Sequence, residues 1–524
     1  MNFQKIKMMN ILYKLTAVGL WVIFTVACVK DPGNYDYKEV TAIEPFQLEG
    51  IEDRYDAETL TRFELPDLAL PQGIDSEDYE FLWYLYPESN MAGAIKSDTV
   101  CKTLKLDFLV TQASGKYVLV LQAKNKKTGI CAYRKSVLDI MSGFARGWYV
   151  TKDENRVTDI DWVDLQGEVH PNVLASINGE GVTGEALKTT YMGGRYNYEQ
   201  ENPDGTVTLI EGQKVLFTLS RSDMRVYNSE NLQLIRKFGD IFVSTPEVAA
   251  PRDAVHGFFM GSFILNNGKV HSLSTFTSPS YGKFGAEKIG DYRVADDLIR
   301  CPMGEIILFD TQSQSFCYST VPKNTIQYFS YDPLEDKADP NRMNCDLVFM
   351  KERRFGSYSL NTCFAILKKR DKNEYYFAAI DPDATASGAH LFESYGMIPQ
   401  KNEVGKAKVF GVHNISSTLY FSSGDHVLKS FNTVNFTENP EVFTFPKDEK
   451  ITFIGHIDYN EYSDPSGKME CLVVLTNTTT RWKLYCFDFV GQTSDIVTTG
   501  YKEYSGNGHA ASVIYRGPGA MYIN

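Results

Sequence analysis

The side chains with most to offer a ligand are tyrosines that cluster beside glycines. "YMGGRYNYEQENPDG" places Tyr191, Tyr196 and Tyr198 around Gly193, Gly194 and Arg195, and "SYGKFGAEKIGDYR" places Tyr281, Phe284 and Tyr292 among further glycines. "YFSYDP" adds Tyr328 and Tyr331. A planar ring with a polar tip stacks on a sugar or grips a peptide at small entropic cost. Tyr191, Tyr196, Tyr198, Tyr281 and Tyr292 are therefore candidate ligand contacts, the other reading being rings that pack loops against the body of the fold. Carboxylates offer a second chemistry. Paired Asp or Glu side chains hydrolyse glycosidic bonds, and Asp159, Asp291, Asp310 and Asp381 lie near turns where they could converge, although Asp at a turn ordinarily bonds its own backbone. "DYNEYSDPSG" (Asp458, Asn460, Asp464) and "DPLEDKADPN" (Asp332, Asp336, Asp339) carry oxygens suited to Ca²⁺, in a spacing that fits no known loop. No G-x-S-x-G, H-E-x-x-H, phosphate-binding loop or EF-hand loop occurs, and the eight histidines are scattered singly. No catalytic residue, metal site or cofactor is assigned, and the chain is read as a non-enzyme.

Of the thiols, Cys28 stands in the most informative place. It closes the apolar run from Leu15 to Ala27, and Lys5, Lys7 and Lys14 come earlier with no acidic residue. The run is shorter than the ~20 apolar residues a spanning helix needs, and a positive stretch before a short apolar one is the pattern of an export signal. A small residue directly before the Cys resembles the cleavage box of bacterial lipoproteins, with Thr25 where that box usually has Leu. Residues 1–27 are expected to be the signal and Cys28 the lipidation site, which would hold the protein on the outer membrane, facing the cell surface. An ordinary export signal with an incidental Cys is the alternative. "VKDPGNYDYKEV" then reads as a flexible tether over 28–40. Eight cysteines follow Cys28 without any C-x-x-C pair. Folding the hairpin around "TNTTT" symmetrically sets Cys471 opposite Cys486, a candidate disulfide in an exported chain, although a buried free thiol packs equally well as a small hydrophobe.

Composition narrows the partners. The 524 residues hold 66 acids against 53 Lys and Arg, and removal of residues 1–27 brings the net charge from −13 to near −16. Nucleic acid and anionic membrane surfaces both require a basic face. The 31 Tyr and 32 Phe suit strands better than helices.

Two rhythms follow the tether. Over 41–141, "YEFLWYLYP" is a strand centred on Trp83, and "SGKYVLVLQAKNKKTGICAYRKSVLDI" is a hairpin. Together they indicate an immunoglobulin-like sandwich without the usual Cys–Trp–Cys order. From Gly147 a unit of apolar strand, polar turn and aromatic-rich strand recurs seven times, from "GWYVTKDENRVTDIDWVDL" through "GSFILNNGKVHSLSTF" to "CLVVLTNTTTRWKLYCFDFV". Each copy has the form of the middle strand pair of a propeller blade, and "ASVIYRG" near the C-terminus is placed as a strand closing the first blade. The fold class is all-β: an immunoglobulin/PKD-like sandwich, then a β-propeller over 147–524, seven-bladed to within one. Two stacked sandwiches would give the same alternation. The junction at Ser142–Gly147 is expected to be a protease-sensitive linker.

The layout as a whole resembles the PKD-like family lipoproteins that accompany SusC/SusD-type nutrient importers. The segments that carry the likeness are "CVKDPGNYDYKEV", "GWYVTKDENRVTDIDWVDL", "HPNVLASINGEGVTGEAL" and "SYGKFGAEKIGDYRVADDLI". The resemblance implies a surface lipoprotein that binds a glycan or peptide beside SusC/SusD-like transporter components, with no catalytic residues to carry over. A propeller-based glycan hydrolase or lyase, and a purely structural transporter subunit, are the competing readings.

Overall fold

The computed structural model describes residues 50–59, 61–65, 68, 70, 75–88, 97–112, 114–202, 204–257, 261–274, 281–302, 304–355, 359–387, 390–459, 469–517 and 522–523. Cys28, the signal and the tether lie outside these residues.

Alternation with a period of two builds the N-terminal sandwich. In Tyr79–Pro87, Phe81, Trp83 and Leu85 point inward while their neighbours face out. The strand pairs with Gly115–Asn125, which forms a hairpin with Cys131–Met141, and Arg54–Glu58 adds to that last strand in parallel. Asp98–Cys101 completes this five-stranded sheet, and a two-stranded sheet of Arg62–Glu64 and Asp107–Leu109 lies beside it. Trp83 fills the core with Leu119, Leu121 and Leu138, and its Nε1–H donates to Leu104 O at 3.2 Å.

Seven further sheets make the propeller. Blade 1 holds Gly147–Glu154, Val157–Val163 and Val169–His170, with the C-terminal strand His509–Arg516 as its innermost member. Blade 2 runs from Ala186–Glu201 to Leu234–Lys237, and blade 3 from Pro251–His256 to Lys269–Ser274. Blade 4 spans Ile299–Arg300 to Gln327–Tyr328, blade 5 Cys345–Phe355 to Phe392–Met397, blade 6 Val409–Val412 to Glu438–Thr444, and blade 7 Lys450–Tyr459 to Lys502–Asn507. Blade 3 has three strands among the described residues, the others at least four. The expected closing strand is therefore present: Val513 sits opposite Val150 and Tyr515 opposite Trp148. Closure by strands from the first and last parts of the repeating region leaves the ring without a free seam.

Every blade boundary carries a polar bridge. Thr151 Oγ1 meets Thr189 Oγ1 at 2.8 Å between blades 1 and 2, and Lys188 Nζ meets Asp253 Oδ1 at 2.6 Å between blades 2 and 3. Arg300 reaches back to His256 O of blade 3 and forward to Glu352 of blade 5. Arg353 donates to His413 O of blade 6, Asn414 N–H to His456 Nδ1 of blade 7, and Trp482 Nε1–H to Asp161 Oδ2 of blade 1. Polar side chains and backbone groups of neighbouring blades thus satisfy one another around the full circle, mostly from the inner strands and, where Trp482 meets Asp161, from strands further out. The "NNG" turn of blade 3 is a two-residue hairpin in which Asn267 and Gly268 both take positive φ (50° and 75°), as the right-handed strand twist requires.

Candidate functional site

Most of the tyrosines read from sequence as candidate ligand contacts are packed inside the fold. The first cluster lies in the inner strand Ala186–Glu201 of blade 2 rather than in a glycine-rich loop. Tyr191 and Tyr196 are fully buried; Arg516 lies over the Tyr191 ring, and Tyr196 donates to Gly282 O at 3.0 Å. Tyr198 is half-buried against the same core. Burial pushes the phenols of Tyr191 and Tyr196 upward. Tyr292 is buried too, accepting from Val270 N–H and donating to Lys288 O, while Tyr281 is half-buried in a turn with φ 50°. Tyr191, Tyr196 and Tyr292 pack inside the fold, which corrects the reading of these three as ligand contacts, while Tyr198 and Tyr281 keep partial exposure; bulges near Met192 and Tyr196 interrupt the strand that carries the first cluster.

The candidate disulfide is corrected as well. Val473, not Cys471, stands opposite Cys486, so the two thiols are diagonal neighbours, and both are free and buried. All eight described cysteines are free. The four aspartates do not converge. Asp159 accepts the N–H groups of Leu174 and Ala175 and caps the helix Val173–Asn178, Asp310 holds Arg293 N–H and Ser313, Asp291 takes Gln312, and Asp381 holds Asp383 N–H. Of the calcium-like groups, Asp332 and Asp339 bond backbone two residues on, and Asp336 pairs with His390. Asn460 and Asp464 lie outside the described residues.

What the fold does assemble is a cavity of about 360 Å³ where the sandwich meets blade 1. Glu58 and Met141 contribute from the ends of two sandwich strands, Ser142–Arg146 from the link, and Trp162, Asp164, Leu165, Gln166 and His170 from blade 1. Trp162 is half-buried at the end of Val157–Val163, in the phase that leaves the sheet on the side of the link. His170 is its cross-strand partner, and the two rings stack at 4.9 Å with 29° between planes. Phe144 meets the indole edge-on at 5.0 Å, and Trp162 Nε1–H donates to Arg146 O at 3.0 Å. The indole is thus fixed on three sides, which reduces the entropy lost when a ligand stacks on it.

Carboxylates border the rings. Asp164 opens the turn to the next strand: Oδ1 accepts Glu168 N–H at 2.8 Å and Oδ2 lies 2.9 Å from His170 Nε2. Partial burial opposes its charge, but these hydrogen bonds outweigh it and hold Asp164 below the usual carboxylate range. Glu58 lies over Gly143, where an added Cβ would meet Glu58 Oε1 at 2.6 Å. Ligand atoms of Asp164, Glu168 and His170 gather within 4.8 Å of one another, yet Asp164 is already committed to His170 and to the backbone. The arrangement offers a stacking face with hydroxyl acceptors around it. Trp162 was legible in the sequence only as part of a strand pair: alternation in "DIDWVDL" puts it on the face of buried Ile160, and its half-exposure comes from its place at the strand end beside the link.

Comparison with solved structures finds distant likenesses. A quinonprotein alcohol dehydrogenase-like protein of Bacteroides thetaiotaomicron is 9% identical, with 88% of this chain and 96% of that chain covered at a TM-score of 0.38. The β-propeller domain of Cps50 (Swd1) from Myceliophteria thermophila is 12% identical, with 64% and 98% covered at 0.34. The extracellular domain of a one-component system from B. thetaiotaomicron is 7% identical, with 65% and 40% covered at 0.33. At such values the fold assignment rests on the strand pairing above. No curated protein matches. The PKD-like family model matches residues 28–186, a span that holds the sandwich, the first strands of the propeller and every residue lining the junction cavity.

Proposed function

We propose that this chain is a surface lipoprotein, anchored through Cys28 to the outer membrane, that binds a glycan or peptide nutrient in the junction cavity and presents it to a SusC/SusD-type importer without transforming it. The observation that carries the reading is Trp162: an indole braced by His170, Phe144 and Arg146 O, half-open to a cavity whose rim holds Glu58, Asp164 and Gln166. Pockets of a few hundred Å³ with one apolar platform and a few placed polar groups are the usual form of small-ligand sites. Stacking suits a protein whose net charge disfavours attraction of anions. The export signal expected at residues 1–27 is what supports a surface role.

Calorimetry of the mature chain against neutral glycan and peptide pools tests the reading. A binding pool is expected, and Trp162→Ala is expected to weaken it by about 0.5–1.5 kcal/mol, the worth of one aromatic contact. Unchanged binding in that variant removes the cavity from the site, and turnover of any pool by the wild type replaces binder with enzyme. The anchor is tested separately. Cys28→Ala is expected to move the protein from the detergent phase with the outer membrane into the soluble periplasmic fraction, and an unmoved variant refutes the lipid attachment.

A further inference from the structure

The inner strands of blades 2 to 5 bring a second set of charges together at the propeller axis. Thr190 with His256, His256 O with Arg300, Arg353 with His413 O, and Asn414 with His456 mark one level around the ring. Two to three residues earlier along the same strands stand Lys188 of blade 2, Asp253 of blade 3, Asp297 just before the inner strand of blade 4, Lys351 of blade 5, Gly411 of blade 6 and Phe453 of blade 7. The charges read plus, minus, minus, plus, followed by an uncharged arc.

Two of the four are closed on each other, since Lys188 Nζ lies 2.6 Å from Asp253 Oδ1. The other two are not. Asp297 Oδ2 accepts Met350 N–H at 3.0 Å, and Lys351 makes no ion pair among the described residues. The Lys351 ammonium lies 5.7 Å from the centre of the Phe453 ring. Blades 5 and 7 are not neighbours; at this level blade 6 places Gly411, which has no side chain, between them. Burial and then Lys188 oppose the Lys351 charge, while Glu352, Asp297 and Asp253 favour it. Asp297 and Lys351 are surrounded by protein and yet keep partial exposure, which is the condition of side chains lining a narrow opening.

A cation alone entering this ring meets Asp297 but also two ammonium groups, and an anion alone meets Lys351 but also two carboxylates. A molecule with both charges satisfies both, through charge-assisted hydrogen bonds that a desolvated site makes stronger than water does. We infer that the axial ring is a binding site for a small zwitterion of the amino-acid type, with its carboxylate on Lys351, its ammonium on Asp297 and its apolar part against Phe453. This site is distinct from the junction cavity and does not depend on it.

The test is titration calorimetry of the mature chain with free amino acids and dipeptides, beside their N-acetylated and C-amidated forms. Saturable binding of a free zwitterion is expected, weakened at least tenfold by blocking either end. Lys351→Met and Asp297→Asn are each expected to weaken it at least tenfold, Lys351→Arg to retain it, and Trp162→Ala to leave it unchanged. Equal binding of free and blocked ligands overturns the inference on the wild type alone, whatever the variants do. So does a failure of every free zwitterion to bind at millimolar concentration, or full binding in both charge-removing variants. Loss of glycan binding in Trp162→Ala bears only on the junction cavity.

Discussion

The Arg516 guanidinium is fully buried, and its donors reach Phe144 O at 2.7 Å, Ser229 O at 2.6 Å and the Glu230 carboxylate. One side chain thereby ties the C-terminal strand to the link and to blade 2, with the Tyr191 ring stacked beneath it. Burial works against the Glu230 charge, but Arg516 and Lys214 hold its carboxyl down at about 2. Removing one partner of such a pair strands the other, which costs about 3–5 kcal/mol. Arg516→Met is expected to lower stability by that amount in chemical denaturation, and an effect under about 1 kcal/mol would show that solvent enters the site. Tyr191 and Tyr196 belong to the same argument. Replacing either by Ala is expected to cost about 3–5 kcal/mol, as for other large buried rings, and a variant with both changed is expected to be recovered unfolded, as near-ultraviolet circular dichroism would read. At this scale the sequence was misleading, because a tyrosine beside glycines looks alike in a loop and in a bulged strand.

At the scale of elements, the strand His509–Arg516 decides whether the ring closes. Without it Gly147–Glu154 becomes an open edge, with its row of backbone donors and acceptors exposed. Truncation after Gly508 is expected to give an aggregating chain, measured by light scattering, while the sandwich core keeps its own contacts. The link behaves differently from the linker expected at Ser142–Gly147. Phe144 O accepts from Tyr149 and Arg516, Ala145 is buried and Arg146 O accepts from Trp162. Limited proteolysis is therefore expected to spare residues 142–147, and rapid cutting there would count against this packing. The diagonal setting of Cys471 and Cys486 leads to a third outcome: reductant should leave the melting temperature unchanged, and a fall on reduction would indicate a bridge after all. The repeat itself was legible, since each quoted strand pair forms adjacent strands of one blade. Which edge strand completes each blade was not, because short strands such as Ile299–Arg300 and Gln327–Tyr328 carry too few residues for a period to show.

For the whole molecule, three buried histidines near the axis set the response to acid. Burial first, then neighbouring cationic and imidazole groups, depress His256 and His456 to about 3, and burial with Arg353 depresses His413 to about 4. In the unfolded chain each takes up a proton near pH 6.5, so the unfolded state binds more protons and stability falls as pH drops below that value. Asp297 acts in the opposite sense, because burial raises its carboxyl to about 6 and the folded state binds its proton first. Three protons against one leave a net of two, or roughly 3 kcal/mol lost per pH unit between about pH 6 and 4.5. Denaturant midpoints measured across that range should fall steeply, and a flat profile would mean that these imidazoles are solvated.

The sequence alone determined the all-β class, the division into a sandwich and a repeating region, and the strand that returns to close the first blade. Those features follow from local alternation, turn residues and self-similarity, all written over a few neighbouring positions. Only the tertiary structure decided which aromatic rings face a ligand. Trp162 stacks on a residue 8 positions away, across one turn, in a cavity bounded by Glu58 and Met141. Lys188, Asp253, Asp297 and Lys351 come from four separate blades. Burial and the meeting of charges depend on how blades pack around an axis, and packing between distant segments leaves no period in the chain to read.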